Sequence, residues 1–133
     1  RGVPTGRALG AAGERLAARR LRRAGHKVLA RNQCTARGEI DLITLAPDRR
    51  TIVIVEVKTR LAPEARTGSS QVAPEAAITR HKARKLLALA EAEIASGRWR
   101  GHPIRIDVVA VDWNPMGSHD LRHYENAITM DDR

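Results

Sequence analysis

The chain has 133 residues, a formal net charge of +9, two Trp, one Tyr, no Phe and one cysteine. That length suits one domain over residues 1–133 with a real core, and no apolar run approaches the ~20 residues of a membrane span. The lone Cys34 excludes an internal disulfide and a cysteine-based zinc site, and it fits a reducing, cytoplasmic setting.

The charge is lopsided. Residues 1–37 carry ten Lys/Arg against one acid, Glu14, whereas residues 38–133 carry fourteen of each sign. The periodicity predicts a helix over 6–24, with Leu9, Ala12, Leu16, Ala17 and Leu21 as its apolar stripe and Gly25 as its stop. Arg15, Arg19, Arg20, Arg22 and Arg23 make that helix basic. Such a face attracts phosphate backbones, and arginine adds bidentate geometry to the charge. A solvated helix serving solubility is the plainer reading, and acidic lipid is a weaker one because the helix lacks an aromatic anchor. So few aromatics disfavour a base-stacking single-strand binder. Double-stranded or branched DNA, held by its backbone, fits better.

A short strand is expected from Lys27 to Asn32. Residues 39–46 and 51–59 then read as two strands around Pro47-Asp48-Arg49-Arg50, a turn-forming sequence. If the hairpin is centred between Asp48 and Arg49, facing positions add to 97. Asp41 then faces Glu56, and Glu39 faces Lys58. These four share one sheet face, with Ile40, Leu42, Val55 and Val57 on the other. Ile52 and Ile54 lie on the Glu56 face, which makes that face partly buried. Two opposed carboxylates repel, and a shared proton, a nearby cation or a bound metal relieves them. Mg²⁺ favours one or two carboxylates, waters and phosphate oxygens, which outlines a phosphodiester-cleaving site. The alternative is a solvated pair of acids offset by arginines, with Lys58 in a cross-strand ion pair with Glu39.

Residues 60–73 read as a loop beside this site. A second helix is expected from Pro74 to about Ser96, carrying Lys82 and burying Ile78, Leu86, Leu87, Ala90 and Ile94, with Gly97 ending it. Strands at Ile104–Val111 and Leu121–Ala127 complete an αβββαββ order, hence an α/β fold with a mixed sheet flanked by helices. Asp107, beside Arg105, reads as structural. The five His show no ligand spacing.

Asp41, the triplet Glu56-Val57-Lys58 fifteen residues on, and helical Glu14 resemble the PD-(D/E)xK nuclease superfamily. The chain is more closely similar to the YraN-type predicted endonucleases, relatives of archaeal Holliday junction resolvases. Gly13-Glu14, Arg31-Asn32, Gly38–Ile43, Val53–Arg60, Lys82, Arg105–Val109 and His123–Ala127 carry the similarity. Ile40 stands where the superfamily name has Pro.

The resemblance implies a restriction-endonuclease-like sheet and a Mg²⁺- or Mn²⁺-dependent endonuclease acting on DNA, branched or damaged DNA included. It also implies Asp41, Glu56, the Val57 carbonyl and Glu14 as metal ligands, and Lys58 serving the attacking water or the transition state. Glu39 would stand behind the ligands, and Lys82 would approach substrate phosphate. Resolvase relatives act as dimers, which raises a homodimer as an expectation. A non-catalytic nucleic-acid-binding module and an RNA-processing nuclease share the same residues.

Overall fold

The computed structural model describes residues 4–61 and 78–129. Helix α1 (Gly6–Arg23) leads into β1 (Lys27–Thr35), β2 (Gly38–Leu45) and β3 (Ile52–Leu61). Helix α2 (Arg80–Ala95), β4 (Ile104–Trp113) and β5 (His119–Ile128) follow. The strands form one sheet in the order β1-β2-β3-β4-β5. All neighbours are antiparallel except β3 and β4, which run parallel. This is the α/β architecture and element order expected from the sequence. No helix among the described residues is long and apolar enough to cross a membrane.

The helices cover opposite faces of the sheet. Ala17, Ala18 and Leu21 of α1 pack on Leu42, Val53, Val55, Val109 and Val111. On the other side Ala83, Leu86, Leu87, Leu89 and Ala90 of α2 pack on Ile43, Ile52, Ile54 and Ile106. Strand β3 is therefore apolar on both faces, and its continuous Ile52-Val53-Ile54-Val55 run reflects that. Helix α1 ends at Gly25, with φ of +99°; the Gly25 N–H donates to the Arg22 carbonyl and the His26 N–H to that of Leu21. This paired closure requires the left-handed conformation that glycine adopts at least cost.

The hairpin register is as derived. Leu42 pairs with Val55, Ile43 with Ile54, Thr44 with Val53 and Leu45 with Ile52. Asp48 builds the turn: its Oδ1 accepts from the Arg50 and Thr51 N–H groups at 2.8 and 2.9 Å, and its Oδ2 from the Thr51 hydroxyl at 2.7 Å. These bonds hold its carboxyl down to about 2.

Several boundaries differ from expectation. Strand β1 continues through Thr35 because it pairs with β2 down to Gly38. Strand β3 runs through Leu61, and the rest of the expected 60–73 loop lies outside the described residues. Helix α2 starts at Arg80, not Pro74, because Thr79 caps it by accepting from the Lys82 N–H at 3.1 Å. Residues 74–77 lie outside the description. Ile94 is 58% exposed rather than buried, since it lies on the outer side of the last turn of α2. Ile40 joins the α2-side core while Leu42 joins the α1-side core. The expected common face for these two residues fails where the β2–β3 ladder stops at Leu42.

Asp107 is wholly buried and accepts from Arg105 Nε (2.9 Å), Arg105 Nη2 (3.1 Å) and the Asn126 N–H (2.9 Å), with His123 Nε2 at 2.7 Å. Its structural role follows, because the cluster ties β5 to β4. Burial pushes its carboxyl up, but the His123, Arg105 and Asn126 bonds outweigh that and leave it below 3.8. The stabilisation it provides is thus present above the unfolded value and is lost as pH falls through the folded one. Asp107→Ala is expected to cost ~3 kcal/mol at pH 7, by leaving Arg105 with only the exposed Glu125 at 3.8 Å. In urea titrations that difference should shrink below pH 4; a pH-independent difference would contradict the ionised carboxylate.

Gly13 lies against β3. A Cβ placed there would collide with Thr59 Oγ1 and approach Thr59 Cβ to 2.9 Å. Gly13→Ala should therefore lower stability by ~1–3 kcal/mol through overpacking, read from denaturant midpoints. No loss would mean that α1 can shift at no cost.

Candidate active site

The site forms where β2 leaves β3. Beyond the Leu42–Val55 pair the ladder ends, and the Val57 N–H donates instead to Asp41 Oδ2 at 2.8 Å. A side chain has replaced a backbone acceptor, which holds the Asp41 carboxylate against the middle of β3. Oδ1 accepts no hydrogen bond from a described residue. Glu56 follows Val55 on β3, on the α2 side with Ile54, and its side chain is 13% exposed. From α2, Lys82 Nζ reaches Glu56 Oε2 at 3.1 Å.

The tight fit of Gly13 on Thr59 brings α1 close enough for Glu14 to feel the same cluster. Burial raises the Glu14 carboxyl, Glu39 and Glu56 raise it further, and Arg31 opposes them. Asp41 is pushed up to about 7, first by burial and then by Glu56 and Glu14; the Val57 N–H and Lys82 pull it down. Three partly buried acids from α1, β2 and β3, Glu14, Asp41 and Glu56, therefore influence one another, with exposed Glu39 acting on Glu14. Such an arrangement requires a proton or a cation.

The predicted residues separate into groups. The fold gathers Asp41, Glu56, Glu14, Glu39 and Lys82 into one electrostatic cluster. Lys58 is half-buried on the Glu56 side of β3, by strand alternation. The alternative ion pair of Lys58 with Glu39 does not form among the described residues, because β2 has diverged from β3 there; Glu39 faces Cys34 of β1. Lys82 contacts Glu56 itself rather than standing apart from the acids. Arg15, Arg19, Arg20, Arg22 and Arg23 are all exposed along α1.

Sequence reasoning gave Arg31 no role at Glu14, although it appears in the Arg31-Asn32 block. It also passed over His26, which is buried with Nδ1 2.8 Å from Thr44 Oγ1 and its ring 5.7 Å from that of His123. Burial, and then His123, lowers the His26 pKa. No spacing in the sequence marks either contact.

The donor set suits a hard cation. All the acids offer oxygen, Asp41 has an oxygen to spare, and the surplus negative charge is what a divalent ion offsets. No three His, Cys, Asp or Glu among the described residues already stand at metal-ligand spacing. The Asp41–Glu56 pair is thus the nucleus of the arrangement, with Glu14 further out.

The fold and site define an α/β domain with an acidic centre beside the central strand of a mixed sheet. The model of the Uncharacterised protein family UPF0102 matches residues 13–111, and the chain belongs to that family, the YraN-type group its sequence resembles. It is 40% identical over 121 residues to a UPF0102 protein of Symbiobacterium thermophilum, covering 91% of this chain and 96% of that one. A Pelobacter propionicus UPF0102 protein is 32% identical over 127 residues, covering 96% and 86%. One from Mycobacterium tuberculosis is 39% identical over 110 residues, covering 83% and 81%.

Among solved structures, a repair endonuclease from Pyrococcus abyssi overlaps with a TM-score of 0.44 and 18% identity, over 86% of this chain and 41% of that one. SfsA of Pyrococcus furiosus in complex with Ca²⁺ overlaps with a TM-score of 0.41 and 13% identity, over 93% and 65%. The chain thus spans less than half of the first structure and just under two thirds of the second.

The raised Asp41 carboxyl has a measurable sign. Without a cation, the folded state favours the protonated form, so stability falls as pH rises from 3.8 toward about 7. In EDTA, Asp41→Asn should raise the melting temperature at pH 8 and do little at pH 5. Equal shifts at both pH values would remove the strained carboxylate from the account.

Proposed function

We propose that this chain is a Mg²⁺- or Mn²⁺-dependent endonuclease that hydrolyses phosphodiester bonds of double-stranded or branched DNA. The observation that carries the reading is the desolvated cluster of Asp41, Glu56 and Glu14, with two lysines from β3 and α2 on the same side of the sheet. A structural ion pair does not require three mutually repelling carboxylates in one place. The exposed arginines of α1 supply the complementary charge for a polyanion.

Asp41 and Glu56 would hold the ion, assisted by Glu14 and the Val57 carbonyl, with Glu39 behind them. A divalent cation bound there supplies Lewis-acid charge at the phosphate and acidifies water. The protein's own part is positional. The Val57 N–H keeps Asp41 oriented, so the carboxylate does not have to be ordered during the reaction.

Lys58 offsets charge on the phosphorane-like transition state and orients the attacking water. In the in-line step the water oxygen bonds to phosphorus as the bond to the leaving oxygen breaks. The water's proton passes to solvent. Lys82 pairs with Glu56 and presents its Nζ to a phosphate oxygen arriving beside it.

The test is cleavage of labelled duplex, flap, four-way junction and single-stranded DNA, and of RNA, in Mg²⁺, Mn²⁺ or EDTA. Cutting should require the metal and vanish in Glu56→Ala with DNA affinity retained. Lys58→Ala should slow it ~10²–10⁴-fold. Salt-sensitive binding with no cutting in any metal would make the chain a non-catalytic nucleic-acid-binding module. Cutting confined to RNA would make it an RNA-processing nuclease.

A further inference from the structure

The arginines of α1 do not form one uniform surface. Leu16, Arg19, Arg20 and Arg23 recur at intervals of three and four and so share one flank of the helix. That flank looks toward β5 and, with His119 and Leu121, encloses a cavity of about 180 Å³. No acid lines it, and none of the three arginines pairs with a carboxylate among the described residues. His119 is placed by its neighbour across the β4–β5 ladder, Trp113, their ring centroids 5.5 Å apart. Leu16 and Leu121 also pack on the α1-side core, so the floor of the cleft is anchored.

Glu14 looks the other way. The charges it senses are those of Arg31 on β1, Glu39 on β2 and Glu56 on β3. Because β1 and β5 are the two edges of the sheet, Glu14 and the arginine cleft lie on opposite flanks of α1. The separation across the helix is about 10–12 Å, and from Glu14 to Arg20 the axial rise is about 9 Å. A B-DNA major groove is about 12 Å wide, the scale of a helix with a phosphate backbone along each side.

We infer that the cleft between α1 and β5, lined by Arg19, Arg20, Arg23 and His119, is a binding site for backbone phosphates of the nucleic acid, separate from the acidic centre and across α1 from it. Three guanidiniums with no carboxylate partner among the described residues line a cavity that suits phosphate oxygens, which they can grip bidentately. Leu16 and Leu121 at the floor exclude water from one side and strengthen that attraction. The inference rests on the nucleic-acid side of the proposed function and is independent of whether the acidic centre cuts.

The experiment measures equilibrium binding of a fluorescent DNA duplex between 50 and 300 mM salt, in EDTA so that cleavage is silent. Wild type is compared with the triple variant Arg19→Gln, Arg20→Gln, Arg23→Gln. Arg98→Gln with Arg100→Gln, exposed on the far turn after α2, controls for lost charge, and circular dichroism checks that each variant folds. If the cleft holds phosphates, the triple variant should lose at least tenfold in affinity. Its plot of log K against log salt should flatten by about two to three units, near 0.9 per phosphate contact removed.

The control pair should flatten it by less than one unit. His119→Ala alone should weaken binding severalfold without changing the fold. Wild-type affinity and slope in the triple variant would overturn the site, as would an equal effect in the control. Failure of the nuclease reading would look different: the cleft variants would alter binding while wild type cut nothing in Mg²⁺ or Mn²⁺.

Discussion

The hydrogen bond from the Val57 N–H to the Asp41 carboxylate is where fold and chemistry meet. An amide facing β2 needs an acceptor, and β2 has stopped supplying a backbone carbonyl past Leu42. Asp41 fills that position with a side chain. The sheet is completed, and an acid is fixed beside Glu56 at a partly buried position. The burial and repulsion that raise Asp41 are thus consequences of how the sheet ends its pairing. Removing the acid would leave a backbone donor unsatisfied as well as altering the charge.

Helix α1 serves both electrostatic signs. Its inner face packs through small residues, Ala17 and Ala18 being wholly buried, and Gly13 lets it settle onto β3. That short approach delivers Glu14 toward the acids on one flank and leaves the arginines exposed on the others. A bulkier packing face would lift the helix and weaken both. One helix thus carries opposite charges about two helical turns apart.

Much of this was legible because it is local. The Asp48 turn fixes the hairpin register within a few residues, so arithmetic on positions found the pairing of Leu42–Leu45 with Ile52–Val55. The α1 stripe and its Gly25 stop follow from the 3.6-residue period. What escaped was tertiary. The divergence of β2 at Asp41 separated Ile40 from Leu42 and broke the Glu39–Lys58 pairing, and no residue pattern announces it. His26 meets Thr44 eighteen residues away, and the cluster around Asp107 joins residues up to nineteen apart. Ile94 misled because one apolar residue at the end of a helix need not face the core.

The parallel pairing of β3 with β4 has a kinetic consequence. Strands β1, β2 and β3 meet through two short antiparallel turns, whereas β4 reaches β3 only after the chain has closed over residues 62–103. That closure is about sevenfold longer than the 46–51 turn and costs about 2 kcal/mol more entropy before any contact offsets it. The three-stranded meander under α1 is therefore the half that forms early, and it already contains Asp41, Glu56 and Glu14. The strands that bring Asp107 and His119 arrive last. During folding, the acidic centre is assembled before the sheet that shields it is complete.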